Sequence, residues 1–67
     1  MNKTYYVIQR LDGQYRTMDY NAETYTLVMG WSSDLTRAKR FDTCVDAVMH
    51  KRTLPKGDYW IRTIIVD

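Results

Sequence analysis

Apolar and polar positions along the chain follow two different periods. From Lys3 to Leu11 aromatic and β-branched residues dominate, and period-two alternation predicts a strand with Tyr5, Val7 and Leu11 on one face and Tyr6, Ile8 and Arg10 on the other. Asp12-Gly13 follows, a pair suited to the positive φ angles of a tight hairpin turn. Beyond it Tyr15 to Tyr20 alternates again, with Arg16, Met18 and Tyr20 on one side. A loop around Asn21-Ala22-Glu23 leads to a third strand, Tyr25 to Trp31, whose Tyr25, Leu27 and Met29 share a face. Gly30 near its end predicts a bulge or bend.

The period then changes. Ser32-Ser33-Asp34 offers side-chain oxygens to free backbone N–H groups, which predicts a helical turn across Leu35 to Arg37. Lys39 to Phe41 reads as a short extended piece that returns Phe41 to the core. From Asp42 or Thr43 to about Thr53 the spacing is helical, with Thr43 and Asp46 resembling a capping box. Cys44, Val45, Val48 and Met49 form the stripe expected to lie on the sheet. His50, Lys51 and Arg52 complement the negative end of the helix dipole, which puts His50 in solvent, and Pro55 and Gly57 stop the helix. Tyr59 to Val66 closes the chain as a strand apolar enough for a central place in the sheet.

The predicted fold is α+β: a three-stranded β-meander, one helix and a C-terminal strand (βββαβ), with the helix on one face of the sheet. Residues 1–67 are expected to form a single domain, because so short a chain has room for one core. At 45% hydrophobic and 27% charged, the composition is that of a globular chain. A core of this size supplies roughly 3–5 kcal/mol, and small proteins usually add disulfides, a metal or a partner. Cys44 is the sole cysteine, so an intramolecular disulfide is excluded, and a lone thiol points to a reducing, cytoplasmic location. No leader-like apolar stretch opens the sequence, and no run is long and apolar enough to predict a membrane span. Homodimerisation or binding to another macromolecule is left as the source of extra stability.

Chemistry-bearing residues do not converge. Cys44 and His50 are six positions apart on the proposed helix, roughly 120° around its axis at about 100° per residue, so they cannot form a dyad from one face. One Cys and one His cannot supply a four-ligand zinc site, and the acids show no calcium-loop spacing. Gly13, Gly30 and Gly57 stand alone, without a phosphate-binding loop. These readings predict a non-enzyme with no cofactor and no metal.

Surfaces carry more information. The net charge of +2 is too small to require a polyanionic partner. Even so, Arg37, Lys39 and Arg40 form one basic segment and Lys51, Arg52 and Lys56 another, which keeps a single-stranded nucleic acid as the alternative partner. Six Tyr and two Trp exceed what one helix on one sheet can bury, since each aromatic covers about 150–250 Å². Tyr, Trp and Arg dominate protein interfaces, so Tyr6, Arg10, Arg16, Tyr20 and Arg62 are the candidate contact residues on an exposed sheet face. The opposite face, with Tyr5 and Val7, is then expected to meet the helix.

From Gly30 to Ala47 the spacing of Trp31, Asp34, Ala38, Phe41 and Ala47, after a Tyr-rich hairpin, resembles that of small phage and prophage proteins of unknown function. Trp31, Ala38, Phe41 and Ala47 suit core positions where the chain crosses from sheet to helix, so the shared residues report a fold. The resemblance implies a setting in which small accessory proteins bind and inhibit or redirect a host protein, including defence nucleases of the anti-CRISPR kind. It transfers no functional residue.

Overall fold

A computed structural model describes residues 2–66; Met1 and Asp67, the ends of the expected domain, lie outside the described residues. Four strands, β1 (Lys3–Arg10), β2 (Tyr15–Asn21), β3 (Thr26–Ser32) and β4 (Tyr59–Val66), form one antiparallel sheet in the order β3-β2-β1-β4. Between β3 and β4 come a 3₁₀ turn, Leu35–Arg37, and the helix α1, Cys44–Lys51. The fold is α+β, as expected, and β4 is an edge strand rather than a central one.

The meander is interrupted. β1 and β4 pair at eight successive positions and β2 and β3 at seven, but β1 meets β2 only at Gln9↔Tyr15. Beyond that point the two strands part and the segment around Lys39–Phe41 fills the gap. Tyr6 and Phe41 exchange both backbone hydrogen bonds at 2.9 Å, and the Lys39 N–H donates to the Arg16 carbonyl at 2.8 Å. The expected short extended piece thus lies between two strands, meeting backbone groups that would otherwise be orphaned.

Local chemistry sets the turns. Three residues, Leu11–Gly13, close the first hairpin between Arg10 and Gln14, and only Gly13 has a positive φ, +89°. At the second hairpin Asn21 Oδ1 accepts from the backbone of Glu23 and Thr24, and Tyr25 adopts φ +54°, so β3 begins at Thr26. Gly30 makes no bulge. It continues the ladder opposite Thr17, where an added Cβ would lie 3.4 Å from the Thr17 hydroxyl.

Asp34 caps the 3₁₀ turn, and Thr43 caps α1 by accepting from the Asp46 N–H at 3.1 Å, which satisfies one free donor of the first turn. The apolar stripe, however, faces outward. Val45 and Met49 are 66% and 60% exposed, Cys44 is exposed and Val48 is half-buried, whereas Ala47 is fully buried against Ile8 and Phe41. Phe41 is held in the core by Tyr6, and Thr43 starts the helix two residues later, so the lead-in fixes the helical phase. The inward position becomes Ala47, flanked by the half-buried Val48, His50 and Lys51, with Leu54 beyond the helix end. A small residue at 47 lets the helix backbone approach the sheet closely.

The helix lies on the face of Tyr6 and Ile8, reversing the expected assignment: Ile8, Phe41 and Ala47 make the core, with Tyr6, Trp31, Leu54, Tyr59 and Ile61 packed around them. Tyr5 and Val7 point away from it.

Candidate functional site

The open face of the sheet is the candidate site. Register places Tyr5, Val7 and Gln9 of β1, Trp60, Arg62 and Ile64 of β4, and Tyr15 and Thr17 of β2 on this side, with Arg40 of the inserted segment beside them. Three pairs organise it. The Arg40 guanidinium carbon lies 4.6 Å from the Tyr5 ring centroid, Arg62 Nη1 donates to the Tyr15 hydroxyl at 3.3 Å, and Trp60 Nε1 donates to Gln9 Oε1 at 3.1 Å. Among the described residues, the 3₁₀ turn packs along β2 and no element covers the β1–β4 part.

Val7 is nevertheless fully buried here and Thr17 nearly so. Arg62 stands directly across from Val7, and Tyr5 and Gln9 flank it along β1. Arg and Tyr side chains in such places can lie over an apolar centre while keeping polar ends in water. The surface is a sheet of rings and guanidinium groups over a small dry centre. Such a surface can stack, donate hydrogen bonds and exclude water.

The sequence-derived contact residues are divided. Tyr6 packs on the core. Arg10 and Arg16 lie on the helix side, 4.6 and 5.2 Å from the Trp31 ring centroid, and Tyr59 stacks on that ring at 5.7 Å. Arg10 also pairs with Asp12 at 2.6 Å, holding that carboxyl below its ordinary range with help from the Gln14 N–H. Arg16 Nε–H donates to His50 Nε2 at 3.2 Å. His50 is therefore not a free solvent-facing group: its ring is tilted against Phe41, and burial, Arg16 and Lys39 push its pKa down. Tyr20 is exposed beside the second hairpin, and of the five only Arg62 lies on the open face.

The basic residues separate too. Arg37 reaches Asp19 at 3.7 Å, Lys39 lies 5.7 Å from the Phe41 ring centroid on the helix side, and Arg40 alone joins the open face. Lys51 and Arg52 line a shallow groove of about 460 Å³ with Leu54, Lys56, Gly57 and Tyr59. Among the described residues no three His, Cys, Asp or Glu side chains gather to hold a metal, and no helix is long and apolar enough to cross a membrane.

Sequence reasoning did not join Gln9, Arg40 and Trp60 to Tyr5 and Tyr15 as one surface. Alternation had grouped Tyr5 with Val7, but assigning that group to the outside required the helical phase. Comparison with protein-family models, curated proteins and solved structures yields no match, so the function rests on this geometry.

Proposed function

We propose that the chain is a small non-catalytic binding module that acts stoichiometrically on another protein, in the cytoplasm, through its open sheet face. The supporting observation is the cluster of Tyr5, Tyr15 and Trp60 with Arg40 and Arg62 around the buried Val7, on a face whose β1–β4 part no element covers among the described residues. These residue types supply most binding energy at protein interfaces, and a central patch already shielded from water is where truncation costs most. The resemblance to phage accessory proteins suggests a host factor, such as a defence nuclease, as the protein inhibited.

A Tyr15→Ala, Arg62→Ala variant tests this reading. It should remain folded by circular dichroism and lose at least one hot spot, about 2 kcal/mol or roughly thirtyfold in affinity. Quantitative co-purification from host cells should show one protein depleted with that variant and retained with Met49→Ala on the helix. Equal recovery with both variants would refute the assignment of the face.

A single-stranded nucleic acid is the second reading, favoured by charge. Lys3, Arg40 and Arg62 share the open face, where Asp19 is already near Arg37 and Asp58 lies at the N-terminal end of β4. Bases would stack on Tyr and Trp rings, and affinity for a labelled strand would fall steeply with salt. No binding at low salt would dismiss it.

A further inference from the structure

Among the described residues, no backbone group pairs with the outer edge of β4. The Leu11 N–H donates to the Asp58 carbonyl at 3.1 Å, one step beyond the Arg10↔Tyr59 pair. Backbone groups alternate in direction along an antiparallel strand, so Trp60, Arg62 and Ile64 direct theirs at β1. Tyr59, Ile61, Thr63 and Ile65 direct theirs outward, where the sheet ends. Natural edge strands are protected by Pro, Lys, bulges or short length. β4 is eight residues long, pairs with β1 without a bulge, has no Pro, Gly or Lys, and carries Arg62 as its single charge. It also exposes Ile65 at 64%, Val66 at 44% and Trp60 at 43%.

We propose that β4 pairs antiparallel with β4 of a second copy, joining two sheets into one of eight strands with Thr63 on the two-fold axis. Antiparallel pairing about an axis normal to the sheet keeps each face with its own face, which allows only registers in which some residue meets itself or the pair is shifted by two. A register centred on Arg62 sets two guanidinium groups directly opposite each other and is disfavoured. The register centred on Thr63 moves the two guanidinium groups from directly opposite to diagonal positions. It places Ile61 opposite the partner's Ile65, Trp60 opposite the partner's Val66, and Arg62 opposite the partner's Ile64. All three exposed apolar side chains of β4 thereby gain an apolar cross-strand neighbour, and Thr63 meets its own copy.

The other edge, β3, is a poorer template. It belongs to a hairpin whose inner strand is parted from β1, and two-stranded ribbons twist more than wide sheets. β4 is backed by β1 along its whole length.

The test uses the full chain in sedimentation equilibrium across the micromolar range. The wild type should show twice the mass of the chain. Ile65→Lys should be a folded monomer with an unchanged circular dichroism spectrum, because Ile65 is exposed. Thr63→Pro removes an outward N–H and should also be monomeric; if it does not fold, Ile65→Lys alone decides. In a Cys44→Ser background, Thr63→Cys should form a disulfide-linked dimer under mild oxidation and Met29→Cys on β3 should not. A monomeric wild type, a dimer that survives Ile65→Lys, or cross-linking through position 29 instead of 63 would overturn the proposal.

Discussion

The two faces of the sheet bury residues equally well by different means. On the helix side Ile8 is closed off by Phe41 and Ala47, and on the other side, away from α1, its neighbour Val7 is just as buried. One face uses an apolar lid, which requires a helix in the correct phase. The other surrounds Val7 with Tyr5, Gln9 and Arg62 of the neighbouring strand positions, long side chains that can cover an apolar centre while reaching water. A lid of the first kind is committed to the fold. The second kind leaves polar ends facing water, where a partner can meet them without the domain unfolding.

The sharpest way to break this comparison is to empty the two sites in turn. Ile8→Ala should cost about 2–5 kcal/mol, comparable to the whole stability of so small a domain, and leave it largely unfolded at room temperature. Val7→Ala should cost about 2 kcal/mol, from two lost methyl groups and the space they leave. Urea denaturation measures both. A neutral Val7→Ala would mean that the open face does not close over its centre.

An intermediate effect comes from pH. Arg16 donates to His50 Nε2, so His50 is a neutral acceptor, and a proton there would face Arg16 and Lys39. Unfolded, its imidazole titrates near 6.5; folded, it titrates lower. Below 6.5 the unfolded chain therefore holds more protons, so stability falls as pH drops from 7 toward 5 and levels off below the folded value. Asp12 and Asp34, both held low, lose their contribution only below 3.8, outside this window. His50→Gln keeps an acceptor for Arg16 and should flatten the melting temperature between pH 5 and 7, relative to the wild type. An unchanged slope would show that another group sets it.

The smallest effect is expected on the outer surface of α1. Met49→Ser and Val45→Ser should each change stability by less than about 0.5 kcal/mol, because both side chains already face water. A loss of several kcal/mol at either would return the apolar stripe to the core.

Much of the fold was legible from period and caps. Alternation located all four strands to within a residue or so, and Asp34 and Thr43 marked the starts of the 3₁₀ turn and the helix. The phase of the helix was not legible. Cys44, Val45, Val48 and Met49 form the better apolar stripe, while Ala47 faces inward because Phe41 and Thr43 fix where the helix begins. The site assignment inherited that reversal: Tyr6, Arg10 and Arg16 were grouped correctly on one face, and the face was the wrong one for contact with solvent. The parting of β1 from β2 was also hidden, because strand alternation carries no information about which neighbour a strand keeps.

The central claim is that the Tyr5–Tyr15–Trp60 face is the surface through which the chain meets its partner. The most direct measurement replaces Tyr15 with a benzophenone amino acid and, separately, does the same at Met49, then irradiates living host cells and looks for covalent adducts. Position 15 lies on the open face away from the β4 edge, and position 49 on the outer side of the helix. The expected result is one discrete heavier adduct from position 15 that Arg62→Ala abolishes, and none from position 49. An adduct from position 49 with none from position 15 would contradict the account.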